Sequence, residues 1–274
     1  MGDPYEDNRR AWDERARLHR ETPMYREYIR RLREGGDALL PMDDRVLGDL
    51  TGLDVLHLQC HIGTDTLSLA RRGGNVTGID FSADAIAQAR ALSEELAIPA
   101  TFVESDVYGL PDNLEGTFDL VYTSYGALIW LGDIARWARV AAGFVRPGGR
   151  LVVIDGHPLA MAVAEDGLTP DRVVLDWPYM TDGEPIREEA PGSYADPDAK
   201  IEQRTRWEWN HGLGAIVQAV LDAGLVLERL DEHAEGYCAR HPGMTKADDH
   251  TYRLPAPHHG RIPQTFTLVA RAKD

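Results

Sequence analysis

The sequence predicts an α/β fold in which a doubly wound, mostly parallel sheet carries helices on both faces. Three observations lead there. From about residue 53, short apolar runs alternate with glycine-bearing turns and amphipathic stretches. Within one such stretch, Ile134, Trp137, Ala138, Ala141, Phe144 and Val145 share one face of a 3.6-residue period. Strands alternating with helices in this way form a parallel sheet, because right-handed crossovers lay the helices on its two faces. A chain of 274 residues, 43% of them apolar, is long enough to bury a sizeable core.

The elements follow in order. Residues 5–34 read as a helical pair, with Trp12, Leu18, Tyr25, Tyr28, Ile29 and Leu32 among nearly balanced charges, ended by Gly35-Gly36 and Pro41. Residues 53–58 are the first strand, followed by the turn Gln59-Cys60-His61-Ile62-Gly63 and a helix over 64–72. The second strand spans 75–79 and ends at Asp80, and Ser82 caps a helix that Pro99 stops. Residues 101–104 and 118–122 are the third and fourth strands. Asp133 caps the periodic helix, and Arg146-Pro147-Gly148-Gly149 turns the chain into a fifth strand, 150–154. Leu213, Ile216, Val217, Val220 and Leu221 mark a helix closed by Gly224, before strands at 225–230 and 265–271. Two irregular segments, 158–210 and 231–262, interrupt the alternation. Loops that long in a compact domain usually cover a site. The stretch 158–200 holds ten acids against three bases, with Trp177, Tyr179 and Tyr194 among them.

Composition removes several functions. Lys+Arg 29 against Asp+Glu 45 leaves a net charge of −16, which opposes the phosphate neutralisation on which nucleic-acid binding depends. No apolar stretch approaches the roughly 20 residues of a membrane span. The start lacks the basic-then-apolar pattern of a signal peptide, and two cysteines, Cys60 and Cys238, make no disulfide framework. A cytoplasmic protein is expected, with no membrane or nucleic-acid partner; its oligomeric state stays open.

Ligands of open parallel sheets bind outside the carboxyl ends of the strands. Three such tips suggest an adenosine site. Asp80, 17 residues beyond Gly63, is placed to accept from two ribose hydroxyls, and Asp106 in Glu104-Ser105-Asp106-Val107 is placed to accept from an adenine amino group. A dinucleotide needs glycines where Gln59 and His61 stand, to admit the pyrophosphate and a positive φ. S-adenosylmethionine has no phosphate, so the residues favour it over a nicotinamide dinucleotide.

Five motifs then carry a resemblance. Residues 55–63 resemble the first-strand glycine loop of the class I S-adenosylmethionine-dependent methyltransferases, and Val76-Thr77-Gly78-Ile79-Asp80-Phe81-Ser82 their ribose-binding strand end. Residues 104–107 resemble the adenine turn, residues 118–123 the fourth strand, and residues 146–151 the turn into the fifth. The resemblance covers roughly 45–157 and, more weakly, 212–271. It implies a Rossmann-like seven-stranded sheet with the last strand antiparallel, an N-terminal helical cover over 1–44, and a methyltransferase domain over 45–274 with lid insertions at about 158–210 and 231–262. It implies that His57, Gln59, His61, Gly63, Asp80, Phe81, Asp106, Val107 and Thr123 hold S-adenosylmethionine. The family usually has an acid at His57 and glycines at Gln59 and His61; the run His57-Leu58-Gln59-Cys60-His61 is similar to a subset of bacterial small-molecule methyltransferases. Asp65, Trp12 and His19 are candidates to replace that acid.

The expected activity is methyl transfer to a small-molecule acceptor at oxygen or nitrogen. His157, directly after the fifth strand, is the candidate base; the alternative is a turn residue. Tyr125, Trp130 and His211 are the candidate acceptor contacts. His241, His250, His258 and His259 lack metal-ligand spacing, so no metal is expected. A cyclase or other non-methylating enzyme using the cofactor as a charged scaffold, and a non-catalytic cofactor-binding protein, are the rival readings.

Overall fold

The computed structural model describes residues 3–180, 183–196 and 198–273. Residues 1, 2 and 274 of the predicted cover and domain, and 181, 182 and 197 of the predicted lid, lie outside the described residues.

Three helices open the chain: α1 (Pro4–His19), α2 (Pro23–Arg33) and α3 (Pro41–Leu47). Each begins on a proline, whose fixed φ and missing N–H suit a first helical position. Pro41 was expected to close the helical region and instead starts α3. Asp43 fixes that start, accepting the backbone N–H of Leu40 at 2.8 Å.

The main sheet then builds up from β1 (Asp54–Leu58), β2 (Asn75–Asp80), β3 (Thr101–Glu104), β4 (Phe118–Ser124), β5 (Val145–Gly156), β6 (Val226–His233) and β7 (Thr265–Arg271). The order across it is β6-β7-β5-β4-β1-β2-β3. β1 runs parallel to β2 and β4, and β7 runs antiparallel to both β5 and β6. Chain direction therefore reverses its sideways progress between β1 and β4, and the crevice above that switch point is where a ligand fits. The crossover helices are α4 (Thr64–Arg71), α5 (Ala83–Leu96) and α6 (Ile134–Phe144); α7 (Pro158–Ala162) and α8 (Leu213–Asp222) follow β5. The predicted caps hold: Ser82 accepts from Ala85 N–H and Asp133 from Arg136 N–H, and Gly224 takes φ 92° after α8. Val145, expected to end α6, instead begins β5.

Alternation along the strands makes two cores. Leu56, Leu58, Val121, Leu151, Val153 and Leu268 face Trp137 and Ala141 of α6 and Val220 of α8. Val55, Val76, Leu120, Tyr122 and Val152 face Met42, Leu47 and Leu69 on the other side.

The segments expected to be irregular hold short hairpins. Residues 163–169 pair with 172–175 and 186–189 with 205–208, and 235–253 contribute a small three-stranded sheet. The inserted strand Thr205–Glu208 is bonded to α1. The amide of Asn8 donates to Trp207 O at 2.7 Å and accepts from Trp207 N–H at 2.9 Å, and Glu14 accepts the N–H groups of Glu202 and Gln203. Two distant stretches of chain thereby form one cover over the carboxyl ends of β1, β2 and β4.

Candidate functional site

Under that cover lies a cavity of about 660 Å³. It is bordered by the turn after β1, the tips of β2, β3 and β4, the face of α1 and α2, and Tyr194 and Tyr237 from the later segments.

The turn after β1 has glycine geometry without glycines. Gln59 and His61 take φ 56° and 49°, and Tyr125 beyond β4 takes 42°. The sequence expectation that side chains at 59 and 61 resist positive φ is corrected here: both adopt it. Such residues cost about 1–3 kcal/mol each and persist only where surroundings over-determine them. Here Cys60 N–H donates to Ile79 O at 2.8 Å, His61 N–H to Asp80 Oδ2 at 2.9 Å, and Gln59 Nε2 to Ala127 O at 2.8 Å. Three of the five non-glycine residues with positive φ among those described border this one cavity.

Gly63 does not border it. A Cβ there would come within 2.9 Å of both Ala89 and Phe102, and φ is 79°, so Gly63 lets α5 and β3 pack against the turn.

Asp80 ends β2 at the cavity wall. It accepts from His61 and Ser82 N–H, and burial pushes its carboxyl up to about 6 against those bonds. Each carboxylate oxygen has a second lone pair free for a ligand hydroxyl. Phe81 and Val107 border the same end. Asp106 borders it too, while its Oδ1 accepts from Tyr108 and Gly109 N–H at 2.9 and 3.0 Å and so fastens the turn after β3. Tyr5 of α1 packs edge-on against Tyr108, and Arg136 stacks on the Tyr108 ring from 4.8 Å.

At the other end, His57 is a buried neutral imidazole, pushed down to about 3 by desolvation. Its Nδ1 lies 2.9 Å from Thr66 Oγ1 and its Nε2 3.1 Å from Ser124 Oγ; Ser124 in turn donates to Asp65 Oδ2 at 3.0 Å. With Asp65 ionised, Ser124 spends its proton on it, and His57 then donates from Nε2. Asp43 accepts from the hydroxyls of Tyr122 and Tyr125, and Asp155 at the tip of β5 accepts from Gly126, Ala127, Leu128 and Gly156 N–H. Those bonds hold the chain after β4 in place.

The cover contributes aromatic rings. Trp12 meets His61 and Trp130 edge-on at 5.2 and 5.1 Å. His19 bonds His61 Nε2 through Nδ1 at 2.8 Å and stacks on Tyr25, whose hydroxyl meets that of Tyr194 at 2.5 Å. Tyr237 packs on Tyr125 at 5.3 Å. The sequence reading missed Tyr25, Tyr28 and Tyr237 as cavity residues. Tyr25 and Tyr28, three apart on an amphipathic helix, carried a usable signal; Tyr237, in a loop far along the chain, carried none.

Three other predicted residues lie elsewhere. His157 caps α7, accepting from Leu159 N–H at 3.1 Å, and its Nε2 lies 2.8 Å from Glu232 of β6. It does not border the cavity, and its ring lies edge-on to Phe266 of β7. His211 is buried with Nε2 2.5 Å from Leu131 O and braces the 128–131 turn from behind. Thr123 is fully buried and does not border the cavity; its neighbours Ser124 and Tyr125 do. Among the described residues, no group of three or more His, Cys, Asp or Glu could hold a metal, and no helix is long and apolar enough to cross a membrane.

Comparison with known proteins bears on this arrangement. A family model described as a methyltransferase domain matches residues 55–149. The chain is 36% identical over 117 residues to a demethylmenaquinone methyltransferase of Lactococcus lactis, covering 41% of this chain and 46% of that protein. It is 35% identical over 106 residues to a ubiquinone biosynthesis O-methyltransferase of Alkalilimnicola ehrlichii, covering 39% and 42%. The chain thus spans less than half the length of these two curated relatives. Among solved structures, an S-adenosylmethionine dependent methyltransferase from Mesorhizobium loti superposes with TM-score 0.56 at 23% identity, over 84% of this chain and 96% of that one. Magnesium protoporphyrin IX methyltransferase from Synechocystis PCC 6803, with bound SAM, superposes with TM-score 0.55 at 15% identity over 100% and 99%. At such identities the structural likeness is one of fold. Residues 55–149 thus match a methyltransferase domain, and they lie in the part of the sheet that borders the switch-point crevice.

Proposed function

We propose that the chain transfers a methyl group from S-adenosylmethionine to a small-molecule acceptor, at oxygen or nitrogen. The observation that carries this reading is a single cavity joining two unlike compartments. One, at the tips of β2 and β3, pairs the buried Asp80 carboxylate with Phe81 and Val107. The other is walled by phenol rings from the cover.

The residues of the first compartment fit the cofactor. Asp80 has lone pairs to accept from ribose hydroxyls, Phe81 and Val107 offer apolar surface to a purine, and Asp106 keeps an oxygen free for its amino group. Gln59 contributes a buried Oε1 with no partner among the described residues, an acceptor that a ligand donor would satisfy. Gln59 and His61 also border the cavity where a dinucleotide site carries glycines, which disfavours a dinucleotide.

S-adenosylmethionine supplies a methyl group already activated on a sulfonium. The chain's own contribution is then orientation and the exclusion of water. Tyr25, Tyr125, Tyr194 and Tyr237 enclose the acceptor side, and Asp43 and Asp155 hold Tyr125 and the turn after it through hydrogen bonds. The cavity's imidazoles, His57 and His61, are both pushed down to about 3, too weakly basic to take a proton near neutral pH. An acceptor arriving with a free lone pair suits such a site. The names of the two relatives, demethylmenaquinone methyltransferase and ubiquinone biosynthesis O-methyltransferase, together with the aromatic walls, favour a ring-bearing acceptor.

Calorimetric titration with S-adenosylhomocysteine, with NAD as control, tests the reading without a known acceptor. Binding of the former alone is expected. Binding of NAD alone, or of neither, would contradict it.

A further inference from the structure

Asp65 has no salt-bridge partner among the described residues and a single side-chain hydrogen bond. It stands in the first turn of α4, deep in the protein, and borders the cavity. Its one hydrogen bond among the described residues comes from Ser124 Oγ. No arginine, lysine or histidine lies within salt-bridge distance of it among those residues; Asp43 and Tyr25 are close enough to couple to its charge, and Arg31 opposes the upward shift more weakly than Asp43 drives it. Burial, and Asp43 after it, push the Asp65 carboxyl up to about 7. A buried carboxylate held this way is expensive unless a cation meets it.

The hydrogen bonds around it are all directed one way. With Nε2 of His57 protonated, Thr66 donates to His57, His57 to Ser124 and Ser124 to Asp65, so an uncharged chain of donors ends on this carboxylate. The chain fixes the position of Asp65 and favours its ionised form without supplying a counter-charge. On the same cavity wall, the orphaned Oε1 of Gln59 is a second acceptor in need of a donor.

We infer that Asp65 is an ammonium-binding residue: its carboxylate receives the α-amino group of the cofactor's amino-acid portion, Gln59 Oε1 accepts a second N–H of that group, and His57 and Ser124 are positioning residues for Asp65. The inference rests on the cavity being the S-adenosylmethionine site. Asp80 takes the hydroxyl-bearing end of the ligand and Asp65 the ammonium end, with the turn 59–63 between them. The position on β1 that faces Asp65 through Ser124 then holds a neutral histidine because the charge stands one turn later in the chain.

The test compares two ligands on two proteins. S-adenosylhomocysteine carries the amino-acid portion; 5′-deoxy-5′-methylthioadenosine lacks it. Asp65→Asn should weaken S-adenosylhomocysteine about tenfold to a hundredfold, the range for a charge-assisted hydrogen bond, and leave methylthioadenosine within about twofold. Unchanged affinity for S-adenosylhomocysteine, or equal loss for both ligands in a variant that still unfolds cooperatively, overturns the inference. An arm without mutation covers a variant that fails to fold. The S-adenosylhomocysteine analogue lacking only the α-amino group should bind the unaltered protein more weakly by a similar factor, and equal binding overturns the assignment. If the unaltered protein binds neither adenosine ligand, the cofactor reading itself is what has failed.

Discussion

The strand tips of the central sheet and the cover laid over them hold their cavity residues in different ways. At the tips, carboxylates are fastened by backbone N–H groups: Asp80 by two, Asp106 by two and Asp155 by four. In the cover, side chain meets side chain, as in His19 with His61 and Ser193, and Tyr25 with Tyr194. Backbone bonds survive most substitutions nearby, so the first arrangement preserves a fixed geometry. Side-chain contacts change with every substitution, so the second can be reshaped without disturbing the sheet. Under the proposed function, the cofactor would meet the backbone-fastened tips and the acceptor the side-chain contacts of the cover.

The sharpest way to break the framework is Gly63→Val. A β-branched residue at φ 79° with atoms of Ala89 and Phe102 at 2.9 Å should lower stability by about 3 kcal/mol, combining overpacking with left-handed strain. A urea midpoint unchanged from the parent would show that the turn tolerates a side chain there. Asp80→Ala comes next. It should cost roughly 1.5–3 kcal/mol in S-adenosylhomocysteine affinity, the scale of hydrogen bonds to a charged group, with the protein still folded; parental affinity would move the ribose contact elsewhere.

His157→Ala probes the region outside the cavity. Loss of the α7 cap should lower stability by about 1 kcal/mol, while S-adenosylhomocysteine affinity and any methyl transfer stay within about twofold of the parent. Activity abolished in a folded variant would restore His157 to the chemistry. The smallest effect is a slope. Asp65 and Asp80 have folded values of about 7 and 6 against an ordinary 3.8, so the native state binds more protons than the unfolded chain between about pH 4 and 7. Stability should therefore fall as pH rises through that window. Asp43 and Asp37 reinforce the shift at Asp65, while Ser124 and Arg31 oppose it. Asp65→Asn should flatten the fall, and an unaltered slope in urea unfolding would count against the charge placed there.

This contrast also explains what the sequence disclosed. The tips of β2 and β3 were legible because Asp80 and Asp106 stand directly after apolar runs whose period announces the strands. The turn after β1 was legible in position but not in conformation, since nothing local to Gln59 or His61 reveals that Asp80 and Ala127 hold them at positive φ. Pro41 was read as a stop because a proline fits both after one helix and at the start of the next, and the cap from Asp43 decides between them. His157 was placed correctly after β5, yet the direction of its side chain depends on Glu232 and Phe266, which are remote in sequence. The cover was least legible, because its contacts join α1 and α2 to residues some two hundred positions away.

The most direct test of the division between tips and cover is amide hydrogen exchange with and without S-adenosylhomocysteine. Protection should appear in residues 59–65, 80–82 and 105–109 and in the turn after β4, with 157–162 and 211–213 unchanged. Protection concentrated at 157–162 and 211–213, with the turn after β1 unaffected, would contradict the assignment of this cavity to the cofactor.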